Sequence, residues 1–208
     1  MEAIAATDLQ QINETLNTIF NRRSVRKYKS RPVSRKWIDK VVEAGRMAPS
    51  AMNKQPWKFY IVTNKEIIHT LSKDISSEAM REGMKKGIRQ ILEALSSLLH
   101  FAKSFSLSAL ADPVFYGAPV VIFITSPKED EWAALDIGMC AQNMLLAAKS
   151  LGLEGCPIGF GKFVDHTAHY HLLHIPEDEK VCLSLILGYG DEHPLPHKRV
   201  TGNVQYIA

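Results

Sequence analysis

The sequence predicts an α+β fold, with a mixed central β-sheet flanked by helices on both faces. Three observations carry this expectation. Short runs rich in β-branched and aromatic residues, "KFYIVT", "APVVIFITS" and "VCLSLILGYG", read as strands. Segments with apolar residues three and four apart lie between them and read as helices. The strands are too few for a simple series of βαβ units. The 208 residues, 46% hydrophobic and 23% charged, suit one soluble globular domain that buries its core without disulfides.

Thr7 or Asp8 is expected to cap a first helix whose apolar face is Leu9, Ile12, Leu16, Ile19 and Phe20. Ser34 caps a second, with Trp37, Ile38, Val41 and Val42 as its buried stripe. It should stop near Met47, because Pro49 disfavours helical geometry at Ala48. "PSAMNKQPW" is loop chemistry, and "KFYIVT" after it reads as a buried strand. Residues 65–111 are predicted helical. Gly83 and Gly87 each cost roughly 1 kcal/mol inside a helix, which fits a mobile cover better than a core strut. From about Trp132 to Leu151 runs a helix apolar on nearly all sides, with Ile137, Cys140, Ala141, Met144, Leu145 and Ala148 inward. A helix of that kind must be buried almost all round, which points to a subunit interface. Gly152 ends it. "GCPIGF" is a short strand entering a turn, a helix is expected over 164–173, and the tail beyond Pro194 is extended and polar.

The formal charge is +3, modest for a nucleic-acid domain. It is locally concentrated, because "RRSVRKYKSRPVSRK" at 22–36 holds eight cations. Such a block can hold a nucleic-acid backbone, a membrane surface or the phosphate of one small cofactor, or it can be a solvated face. Aromatic interleaving is thin, which argues against nucleic acid. Cys140, Cys156 and Cys182 are far apart in apolar runs, so reduced thiols are expected and a disulfide or zinc site is not. The first twenty residues lack the pattern of a secretory signal and no run is long enough to cross a bilayer; the expected location is cytoplasmic. His166, His169, His171 and His174 form i, i+3 pairs without a completing carboxylate or thiolate, so they read as surface histidines and no metal is expected. "GFG" at 159–161 is no dinucleotide fingerprint.

Five blocks in order carry a further reading: RRSVRKY at 22–28, RPV before the second helix, AGRMAPSAMNKQPWKFYIV at 44–62, DIGMCAQNMLLAAKSLGLEGCPIGF at 136–160 and ILGYGDEHPLPHKR at 186–199. Together they make the chain resemble the nitroreductase family of flavin-dependent oxidoreductases. The resemblance implies a single three-layer αβα domain over 1–208, with a helical lid or insert at about 65–111, assembled as an intertwined homodimer with two FMN sites at the interface. It implies that Arg22, Arg23 and Ser24 hold the FMN phosphate and that Arg26 faces the pyrimidine end of the flavin. Pro49, Ser50 and Asn53, with Gln55 nearby, match a second FMN loop, Ser50 reaching the cofactor of the partner subunit. Pro157, Ile158 and Gly159 match the turn across the ring near N5, although the acid that many relatives carry beside it is missing here. Arg199, with Lys198, matches a C-terminal cation that returns to the phosphate. Asp136 is read as a cap of the long helix rather than a cofactor contact.

The implied activity is reduction of electron-poor acceptors, such as nitroaromatics or quinones, by NADH or NADPH in a ping-pong cycle on FMN. Hydride chemistry rests on the flavin N5, so no side chain is assigned as catalytic. Phe101, Phe105, Phe115 and Tyr116 are candidate substrate walls, with plain core packing as the alternative. The same scaffold also serves dehalogenation, dehydrogenation and flavin fragmentation, or flavin-binding regulation with little turnover. The expected partners are a second copy of the chain and a small-molecule acceptor, with neither nucleic acid nor membrane.

Overall fold

Side-chain alternation along two central strands sorts the core into two halves. In the computed structural model, which describes residues 13–85 and 112–207, β1 (Lys58–Val62), β2 (Val120–Pro127), β3 (Glu154–Ile158) and β4 (Glu179–Gly188) pair in the order β1-β2-β4-β3. Val120, Ile122 and Ile124 of β2 and Leu185 and Leu187 of β4 pack on one face. Val121, Phe123 and Ile186, one residue out of step, pack on the other. The first face is covered by α2 (Arg35–Arg46) and α4 (Ala133–Ser150), the second by α3 (Lys65–Lys85) and the 3-10 segment Gly159–His166.

All three strand pairings are antiparallel, which corrects the expected mixed sheet. A continuous apolar strand shows that both faces are covered, and this need not mean parallel neighbours. Among the described residues, parallel pairing is confined to an isolated bridge between Ser24 and Gly155. β1 is a second correction. It lies at the sheet edge with Ile61 42% exposed, so it is not a buried strand.

The helix boundaries follow local chemistry. Asn13 caps α1 (Glu14–Asn21), its side-chain oxygen accepting the Leu16 N–H at 3.0 Å. The caps expected at Thr7 and Asp8 lie outside the described residues. α2 buries Ile38, Val41 and Val42 of the expected stripe, while Trp37 is only partly buried and Gly45 joins the buried face instead. Behind α4, Gly152 takes φ +75°, and the Leu153 N–H returns to the Ala148 carbonyl at 2.9 Å, a left-handed stop. The helix expected over 164–173 is instead two 3-10 pieces, Gly159–His166 and Tyr170–Leu173. Thr167 breaks them apart: its backbone is extended and its hydroxyl donates to the Val164 carbonyl at 2.7 Å.

α3 buries Ile68, Leu71 and Ile75 almost completely, so its first half is a core strut. The remainder of the expected cover, 86–111, lies outside the described residues, and Phe101 and Phe105 with it. No described helix is long and apolar enough to cross a membrane.

Candidate functional site

The basic block is only partly withdrawn from solvent: Lys27, Lys29, Arg31, Arg35 and Lys36 are exposed, and its first residues are not. It leaves α1 and runs beside β3, where the Val25 N–H donates to the Gly155 carbonyl at 3.3 Å and Ser24 bridges the same glycine. This places Arg22, Arg23, Ser24 and Arg26 at partial burial around the buried Val25. Arg23 Nη1 donates to the Phe20 carbonyl at 2.6 Å and the Arg22 carbonyl at 2.8 Å, so it closes the C-terminus of α1. Arg22 Nη1 and Arg23 Nε are buried with no hydrogen-bond partner. Buried cationic donors left in that state are costly unless an acceptor meets them.

Arg26 is held from several sides. Its N–H donates to Glu192 at 2.5 Å, and its guanidinium stands 6.0 Å from the centre of the Tyr116 ring. Burial pushes the Tyr116 phenol above its usual pKa, and Arg26 pulls the other way. Tyr116 itself sits at φ 57°, in a turn tied by Asp112, whose carboxylate accepts the N–H groups of Phe115 and Gly117, each at 2.9 Å. Phe115 is fully buried and meets Phe123 edge-on at 5.9 Å, which gives it the core role.

The fold therefore sets the 22–26 segment against β3. Cys156 lies on that strand. Burial pushes its thiol pKa up, while Arg26, Ser24 and Arg22 pull it down. The turn expected at 157–159 is not one: exposed Pro157 and buried Ile158 are the last residues of β3, paired with Leu185 and Ser184, and exposed Gly159 opens the 3-10 segment. The Ser184 hydroxyl donates to the Ile158 carbonyl at 3.1 Å and pins the end of β3. Gly161 leaves no room for a side chain there, because an added Cβ would lie 2.1 Å from Ser184 Oγ.

The 49–55 loop is built separately. Met52, Asn53 and Gln55 all adopt positive φ, at 52°, 53° and 49°. Each such non-glycine residue costs on the order of 1 kcal/mol, so the loop needs ties. Ser50 Oγ accepts the Gln55 N–H at 2.9 Å, and Asn53 Oδ1 accepts from the Gln55 side chain at 3.1 Å. The third tie comes from Asp136. It does not cap α4, whose N-cap position is Trp132. It lies one turn further in, 1% exposed, and its two oxygens accept the Ala51 N–H at 3.2 and 3.3 Å. Sequence spacing alone has no signal for this contact. Lys198 and Arg199 stand exposed on the extended tail. No group of histidine, cysteine or carboxylate side chains among the described residues could hold a metal ion.

A sheet covered on both faces by helices, with buried guanidinium donors left unpartnered beside its outer strand, defines an α+β protein. Comparison with known proteins makes this specific: the family model described as "Nitroreductase family" matches residues 19–189, and the chain belongs to that family. It is 27% identical over 194 residues to a 4-nitrobenzoate reductase of Pseudomonas putida, covering 84% of this chain and 85% of that protein. It is 27% identical over 193 residues to an NADPH-flavin oxidoreductase of Vibrio harveyi, covering 93% and 72%. A crystal structure of a nitroreductase with bound FMN from Desulfitobacterium hafniense superposes with a TM-score of 0.77 at 26% identity, covering 95% of this chain and all of that one.

Proposed function

We propose that this chain is an FMN-dependent oxidoreductase that uses NADH or NADPH to reduce electron-poor acceptors such as nitroaromatics or quinones. The observation that carries the reading is the pair of buried, unpartnered donors on Arg22 and Arg23. A phosphate wants a guanidinium fork with hydroxyl and backbone donors beside it, and Ser24 adds the hydroxyl. Arg26 supplies a cation for the electron-rich edge of a heterocycle, with Tyr116 as a neighbouring wall. Pro49, Ser50, Asn53 and Gln55 offer hydroxyl and amide groups for the mixed donor and acceptor edge of a flavin ring. Pro157 and Ile158 form the pinned end of β3, and Gly159 just beyond it permits close backbone approach. When bound, FMN supplies the hydride chemistry, while these residues bind, orient and exclude water. Relatives named for nitrobenzoate reduction and for flavin oxidoreduction with NADPH support the same activity.

The working unit is a homodimer. Leu16, Ile19 and Phe20 on α1 are 41%, 41% and 56% exposed, and Trp132 and Leu135 on α4 are 52% and 57% exposed. Five large apolar side chains facing solvent on neighbouring helices favour a protein partner. We assign exposed Lys198 and Arg199 to the phosphate in the assembled dimer. Free Cys140, Cys156 and Cys182 suit the reducing cytoplasm.

Purified protein is expected to be yellow, absorbing near ~450 nm, and to bleach when mixed anaerobically with NADH or NADPH. A protein that takes up no FMN, or a flavin that neither nucleotide reduces, overturns the assignment.

A further inference from the structure

The contact between Asp136 and Ala51 joins two parts of the chain 85 residues apart. Both carboxylate oxygens are turned to one backbone N–H at the start of the strained 49–55 turn. Ala51 is flanked by Ser50 on one side and by the left-handed Met52 and Asn53 on the other. The internal ties of this loop, from Ser50 and Asn53 to Gln55, close it upon itself without fixing it to the body of the protein. A carboxylate at 1% exposure is an expensive choice for packing alone, and an apolar residue would fill the same space at less cost.

We infer that Asp136 is a positioning residue for the cofactor loop: its buried carboxylate anchors the Ala51 N–H to the first turn of α4 and so holds Ser50 and Asn53 in their binding orientation. The inference rests on the FMN reading, but the loop anchor itself does not depend on it. α4 also carries the exposed Trp132 and Leu135, one turn and one residue before Asp136. The same helix end therefore supports the loop and presents an apolar surface.

The test compares Asp136→Ala and Asp136→Asn with wild type, using hydrogen exchange of the apoprotein and FMN titration by quenching of flavin fluorescence. Asp136→Ala is expected to speed exchange across 50–55 at least tenfold and to raise the FMN Kd roughly tenfold, the usual scale for a lost charged hydrogen bond. Exchange in β2 and β4 should stay unchanged. Asp136→Asn keeps an acceptor oxygen in the same shape and should restore most of both effects. Arg22→Ala serves as the contrast, weakening FMN binding without altering exchange at 50–55. If Asp136→Ala leaves the loop and the Kd as in wild type, or accelerates exchange through the whole sheet equally, the inference fails. If wild type takes up no FMN while the loop still loosens in Asp136→Ala, the cofactor reading fails and the anchor stands.

Discussion

Arg22 and Glu179 are both charged and both withdrawn from water, yet they serve opposite ends. Arg22 keeps a buried guanidinium nitrogen without a partner. Arg22→Ala is accordingly expected to raise the FMN Kd by about 10- to 100-fold, the range for a charged hydrogen bond with a phosphate, while the thermal midpoint of the apoprotein holds or rises. Equilibrium dialysis with FMN, beside a melting curve without it, checks both halves. Glu179, by contrast, is fully paired. It is 2% exposed and accepts from Lys58 at 2.5 Å, Thr125 at 2.5 Å and Tyr60 at 3.0 Å. Burial pushes its pKa up, the donors push it down, and the donors prevail. The folded protein thus binds this proton more weakly than the unfolded chain does. The stability it contributes is complete above the ordinary glutamate value of roughly 4.3 and is lost as pH falls through the lower folded value. Glu179→Gln should flatten the acid limb of a plot of melting temperature against pH, and an unchanged limb would show that other carboxylates govern acid unfolding.

At the scale of elements, what was legible in the sequence depended on range. α2 and α4 carry their buried faces in their own spacing, and Gly152 ends α4 by its own conformation. Gly152→Ala, at φ +75°, should cost about 1 kcal/mol in a urea titration. Gly161 marks where range defeats local reading: its lack of a side chain matters because β4 brings Ser184 against it. Gly161→Ala is expected to destabilise by roughly 2 kcal/mol and to loosen the end of β3 that Ser184 pins. The 3-10 break at Thr167 was hidden for a related reason. An apolar period does not report a hydroxyl that turns back on its own backbone. The exposed edge position of β1 was equally hidden, because its residues have the β-branched and aromatic character of a central strand.

Across the whole molecule, the exposed apolar residues of α1 and α4 and the long tail have no cover among the described residues. Leu135→Glu should shift the particle toward monomer in sedimentation equilibrium and lower FMN retention with it, because the dimer is proposed to complete the site. A variant that stays dimeric and yellow would remove α4 from the interface.

Sequence by itself determined the kinds of element, the two-faced core, the basic block as the point of interest and the family resemblance, since each is written in residue type and near-neighbour spacing. It also marked the 49–55 loop through its proline and amide content. Tertiary structure alone decided strand direction, the edge placement of β1, the core role of Phe115, the approach of Tyr116 to Arg26 and the true partner of Asp136. These depend on contacts between segments tens of residues apart, and a side chain's local pattern carries no record of what the fold will bring against it.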